Sequence, residues 1–360
     1  FFNTVTYTGD LQDSDGTGHT QSITGVGFQP DWVWHKGRSG ARTHMIVDRV
    51  RTVSSYNWLV SSGSGAELTT NTNGAISSID SDGITVQNGN DSSSKSNNAG
   101  KNGETWVFWN WKAGGSASSN SNGSITSSVS ANTTAGFSIV SYTGTGSNAT
   151  IGHGLSSAPE IIFQKCRSNS STWWHVGSTK ISTGFNSYLH LNETDAVASD
   201  SSVWNNTNPT SSVFSVGSAA GTNGSSRTNI AYCFHSVKGY SKIGKYTGNG
   251  NADGAFVYTG FKPAWTMYKR ISSGGSGGWS IHDNKRSESN GNNPLRKYIV
   301  AQTSGTESTD DFFTIDHLSN GFKLRATDGE SNASGVTYLY MAFAESPFVT
   351  GASGIPTTAR

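Results

Sequence analysis

Apolar positions along the chain come in short bursts separated by long polar stretches, and within a burst they alternate with period two. Along Trp32, Val33, Trp34, His35 and Lys36 the alternation places Trp32, Trp34 and Lys36 on one face of a strand. Ile161, Phe163 and Lys165 repeat that face, as do Trp265, Met267 and Lys269. Later bursts have one uniformly large face: Val107/Trp109/Trp111, Ile230/Tyr232/Phe234 and Leu339/Met341/Phe343. Their other face is mixed, with Phe108/Asn110, Ala231/Cys233 and Tyr340/Ala342. Two largely apolar faces predict a central strand, or one covered by a neighbouring domain or subunit. No segment sustains a helical period, and short strands with frequent turn signals predict antiparallel β-sandwiches.

The bursts recur in a fixed order. Tyr-Thr-Gly begins at Tyr7, Tyr142 and Tyr246; Pro-x5-Lys follows as Pro30/Lys36, Pro159/Lys165 and Pro263/Lys269; the aromatic strand closes at Trp111, Phe234 and Phe343. A period of roughly 105 to 130 residues is too long for a solenoid turn and suits a whole small domain. The expected architecture is all-β: three tandem antiparallel β-sandwich, jelly-roll-like domains at 1–113, 135–239 and 240–348, with a tail at 349–360. The Gly/Ser/Asn/Thr-rich stretch 114–134 reads as a linker able to dock, with one weak strand around Ile125 and Val129, and only His235 to Lys242 separates repeats two and three. Repeats two and three are therefore expected as a stiff pair, with repeat one more loosely attached. Each recurrent lysine is expected to lay its stem over the rim of the core with its ammonium in water or on an acid. Asp48 and Asp283 are the acids in reach, and repeat two has no counterpart.

Composition narrows the function classes. Hydrophobic residues make up only 33%, yet aromatics reach 11%, which gives the chain enough to bury and argues against disorder. With 14% charged residues and a net charge of +1, there is no basic excess for nucleic acid as a principal partner. No apolar run approaches a membrane span. The chain begins without Met or a charged-then-apolar leader and reads as a processed protein or part of a longer one. Cys166 and Cys233 are too few for a disulfide scaffold and are expected as free, partly buried thiols.

The residues offer little catalytic chemistry. Asp80 and Asp82, Asp310 and Asp311, and Asp316 are the carboxylates that paired acid catalysis would draw on, but all sit in turn-like contexts where Asp accepts local backbone hydrogen bonds. Asp13-Ser14-Asp15-Gly16 with Asp10 resembles part of a calcium loop without its closing Glu, and no Cys/His cluster has zinc spacing, so neither metal nor cofactor is expected. Gly63-Ser64-Gly65 and Gly274–Gly278 lack the Lys and helix of a phosphate cradle and read as hairpin tips. Aromatics outside the recurrent strands carry more weight, because sugars bind flat aromatic faces beside neutral hydrogen-bonding groups. Trp173 and Trp279 follow the lysine strands at similar places and are assigned to the core, which leaves Tyr56, Trp58 and Trp204 as candidate glycan contacts.

Gly25-Val26-Gly27-Phe28-Gln29-Pro30-Asp31 with Lys36, Asn110-Trp111-Lys112-Ala113-Gly114-Gly115, and Gly123-Ser124-Ile125 followed by Ser130 through Val140 resemble a family of tail-fibre-like structural proteins of marine phages, including those of cyanobacteria. The resemblance continues through Ile230–Val237, Tyr258-Thr259-Gly260-Phe261 and Met341-Ala342-Phe343-Ala344-Glu345, in order along essentially the whole chain. It implies a non-enzymatic virion component on a tail fibre, head fibre or capsid exterior, attaching to host envelope polysaccharide or to other virion proteins. It also implies a homo-oligomer, with a trimer covering the apolar outer faces of the closing strands. A polysaccharide depolymerase on the same appendage is the enzymatic alternative.

Overall fold

The computed structural model describes residues 1–51, 56–272, 277–287 and 293–344, together with the backbone of 349–350 and 355–356. The tail is thus mostly outside the described residues, as are Gly274, Gly275 and Ser276 of the glycine-rich stretch and Glu345. The chain is all-β, built from several antiparallel sheets, with the few helices limited to single turns such as Ser201–Trp204 and Ala220–Asn223.

Each sequence repeat contributes one large sheet with the same four-strand order. An opening strand (Phe2–Thr8, Phe137–Thr143 or Ser241–Thr247) pairs with the closing strand (Thr105–Trp111, Thr228–Phe234 or Thr337–Phe343). The closing strand pairs on its other side with the lysine strand (Trp32–Gly37, Ile161–Cys166 or Trp265–Arg270), and a fourth strand follows (Met45–Asp48, Trp174–Ser178 or Ser280–Asp283). The closing strand is central, which accounts for its two apolar faces. One face packs inside its own repeat against a smaller sheet, as with Val33 and Phe108 over Ile84 and Val86 in the first repeat. Similar cores hold Ile162 and Ala231 in the second repeat and Tyr268 and Tyr340 in the third.

The Tyr-Thr-Gly motif ends each opening strand. Tyr142 and Tyr246 donate their hydroxyls to the carbonyls of Thr222 and Ser331, while Tyr7 instead meets His35 Nε2 at 2.8 Å. The glycine has no room for a side chain: a Cβ at Gly9, Gly144 or Gly248 would stand 2.3, 2.4 and 2.4 Å from a facing carbonyl oxygen.

The stretch 114–134 docks on the second repeat, with two strands rather than one: Ser118–Asn120 and Ser127–Asn132 extend that repeat's large sheet, and Ile125 and Val129 are buried in its core. One expectation about connectivity is corrected: repeat one is not loosely attached. The outward faces of all three large sheets meet in one shared core that contains Trp32, Trp34, Trp109 and Trp111 from repeat one. At its centre the equivalent closing residues touch pairwise, with ring centroids 5.7 Å apart for Trp111 and Phe343, 5.8 Å for Phe234 and Phe343, and 6.5 Å for Trp111 and Phe234. These three rings mark a pseudo-threefold axis within one chain. The apolar outer faces of the closing strands, which a homotrimer was expected to cover, are covered by sister repeats within the chain.

Candidate binding site

The recurrent lysines are the first chemistry the axis generates. None reaches water or an acid as expected: Lys36, Lys165 and Lys269 are each 0% exposed. Each stands at the end of a lysine strand facing the preceding repeat in the ring, and its ammonium donates to backbone carbonyls. Lys36 bonds Gly37 and, across the seam, Ser304 and Gly305; Lys165 bonds Cys166, Thr172 and, across the seam, Ser64; Lys269 bonds Gly277 and, across the seam, Glu193. Burial pulls the ammonium of Lys36 down to about 7 and those of Lys165 and Lys269 down to about 8. Beside each lysine a second group crosses the same seam: His44 Nε2 contacts the carbonyl of Val300, while Trp174 and Trp279 donate their indoles to Val60 and His190.

Asp48 and Asp283 serve a different purpose from the one expected. Asp48 Oδ2 accepts from Arg51 Nε at 2.6 Å and from the Tyr232 hydroxyl of repeat two at 2.7 Å. Asp283 Oδ2 accepts from Arg286 Nε at 2.6 Å and from the Trp109 indole of repeat one at 2.9 Å. The network continues outward, with Glu67 clamped between Arg51 and Arg167 and Glu307 between Arg286 and Arg38. These two seams are therefore closed by matching chains of buried ion pairs. At the third seam the register puts Ser178 where the others have Asp, and matching register positions give Ile181, Val197 and Ile271 in place of Arg, Glu and Arg. The signal was legible as Asp-x-x-Arg at 48–51 and 283–286 and as Lys-x-Arg at 36–38 and 165–167, but nothing local to them shows that they meet across repeats.

The three candidate glycan contacts separate on burial. Trp204 is corrected: it is 0% exposed, packed edge-to-face on Phe185 in the second repeat's core because the one-turn helix Ser201–Trp204 points it inward. Trp58 is largely buried and donates its indole to the Thr70 carbonyl; its register makes it the counterpart of Tyr188 and Tyr298. Tyr56 is half-buried, with φ of 54° and its hydroxyl donating to Gln87 Oε1 at 2.8 Å. Two adjoining depressions open here. One of about 520 Å³ is walled by Trp58, Thr43 and Asn73, another of about 400 Å³ by Tyr56, Gln87 and Asn90, and both share Thr70 and Thr72. Trp173 is a further correction: it is 48% exposed, stacked on His190, because the alternation buries Trp174 in its place.

The candidate acids are committed to local structure. Asp80 accepts from Ser78 and Thr85, Asp82 from the amides of Gly25 and Gly27, and Asp310 from the amide of Phe312. Asp311 and Asp316 depart from the turn reading by pairing with Arg296 and Arg325. In the calcium-like loop, Asp13 accepts from Ser96 and Lys101 and so holds the loop onto residues 96–101, while Asp15 accepts from the Gln12 amide within the loop. No group of three or more metal-ligating side chains occurs among the described residues. Cys166 and Cys233 are free and buried, and burial raises the Cys233 thiol. No helix among the described residues is long and apolar enough to cross a membrane.

Residues 1–347 match a family described as a domain of unknown function, DUF7483, and the chain belongs to that family. No curated protein and no solved structure matches.

Proposed function

We propose that the chain is a non-enzymatic appendage protein of a virion, tail-fibre-like, in which three tandem jelly-roll-like sandwiches form one rigid head that contacts host envelope polysaccharide. The observation that carries this reading is the pair of depressions around Tyr56 and Trp58. They combine aromatic edges with threonine, asparagine and glutamine and have no carboxylate in their walls, a lining suited to holding a neutral sugar rather than cleaving it. Binding at one such site is weak, and several heads on one particle convert it to firm attachment.

The test is saturable binding of the fluorescently labelled chain to candidate host cells, with and without competing envelope polysaccharide. The expected result is competition by the polysaccharide and at least a tenfold loss of affinity on Tyr56→Ala. Binding to no cell type, by a chain that is folded, would overturn the attachment reading. An architectural role on the capsid exterior is the second reading. It is favoured by Phe256 and Tyr258, exposed side by side on an edge strand of the third repeat's smaller sheet, where a virion protein can dock. It predicts tight binding to assembled shells and none to cells.

A further inference from the structure

We infer that the seam between repeats two and three holds a pocket for an acidic sugar unit, separate from the depressions around Tyr56. The pocket is the direct consequence of the odd seam. Where the other two seams fill the space with a glutamate between two arginines, this one has Ile181, Val197 and Ile271, and all three line an opening of about 450 Å³. That volume falls within the ~300–1,000 Å³ typical of small-ligand sites.

The ring of groups above this apolar floor is selective. Hydroxyls of Ser182, Ser199, Ser272 and Thr337 surround it, supplying donors and acceptors for a polyhydroxylated ring whose C–H face rests on the isoleucines. Two ammonium groups complete the wall. Lys180 is already paired with Glu160, but Lys245 is exposed and has no ion-pair partner among the described residues. Lys245 pairs with Leu339, the register position that Thr6 and Ser141 occupy against Val107 and Ile230 in the other repeats. At this seam the third repeat therefore has Ile271 in place of the arginine and Lys245 on its opening strand, and repeat two has Val197 in place of the glutamate that would neutralise it. A carboxylate brought by a ligand restores the charge balance that Glu67 and Glu307 provide elsewhere. The inference goes beyond the attachment reading and stands without it, since a chain that meets no cell still carries this pocket.

The experiment is methyl NMR of the whole chain, following Ile181, Val197 and Ile271 during titration with tri-galacturonate, maltotriose and sodium sulfate at constant ionic strength. Saturable shifts with tri-galacturonate are expected, with maltotriose and sulfate each binding at least tenfold more weakly. Lys245→Glu, an exposed change on a strand surface, should weaken tri-galacturonate binding about tenfold or more. Ser182→Trp, at the exposed rim, should block it, while Tyr56→Ala leaves it unchanged. Equal binding of maltotriose would overturn the acidic class, and equal binding of sulfate would overturn recognition of a sugar. Absence of saturable shifts at these three methyls, or insensitivity to Lys245→Glu, would overturn the pocket itself.

Discussion

The buried ionisable residues give this protein an unusual relation to pH. His35, His175 and His317 are pulled down to about 3 and His153 to about 4 by burial, and the three seam lysines to about 7 or 8. In every case the unfolded chain binds protons that the fold rejects, so stability rises with pH: between about 3 and 6.5 for the histidines, and from about 7 or 8 up to 10.5 for the lysines. Each group contributes up to about 1.4 kcal/mol per pH unit within its window. Buried Tyr142, Tyr246 and Tyr268, raised by burial, reverse the slope only above about 10, where the unfolded chain loses protons first. The urea midpoint should therefore climb from pH 5 through 7 to 9, and Lys36→Met should flatten the upper part of that climb. A midpoint that peaks at neutral pH and drops by 9 would show that the lysines keep their ordinary affinity for protons.

At the scale of the elements, the three seams are a natural substitution series. Removing one member of a buried ion pair leaves its partner charged and uncompensated, a loss of about 3–5 kcal/mol, whereas replacing the whole set with packed apolar groups is close to neutral. Arg51→Ile alone should lower stability by that amount. Asp48→Ser, Arg51→Ile, Glu67→Val and Arg167→Ile together copy the third seam and should recover most of it, as judged by denaturant unfolding of the single and fourfold variants. A fourfold variant as unstable as the sum of its parts would mean the apolar set works only beside its own neighbours. Much of this layer was readable from sequence. Period-two alternation located the lysine and closing strands, and the Tyr-Thr-Gly spacing identified the repeat. The partners across the seams were not readable, because Asp48 meets Tyr232 and Asp283 meets Trp109 over sequence distances that no local pattern spans. The candidate site was less legible still. Trp204 and Trp173 were assigned by their place in the chain, but a one-turn helix and a shift of one residue along a strand decide which ring is buried.

For the whole molecule, the shared core changes what a tandem repeat means. Short connections and long linkers ordinarily set how independently domains behave. Here Trp111, Phe234 and Phe343 meet at one axis, and each seam is latched by a lysine, so no repeat can leave without exposing the faces of the other two. The same closure seals two seams with ion pairs and leaves one open as a pocket, and the depressions around Tyr56 and Trp58 lie on repeat one of that closed unit. The central claim is that the three repeats form one cooperative unit. Hydrogen exchange in increasing urea tests it most directly, by reading the amides of the closing strands at 105–111, 228–234 and 337–343. The three strands should lose protection together, at one midpoint that coincides with the fluorescence transition of the buried tryptophans. Earlier loss in strand 105–111, with the other two still protected, would contradict the shared core and return repeat one to the status of a separate domain.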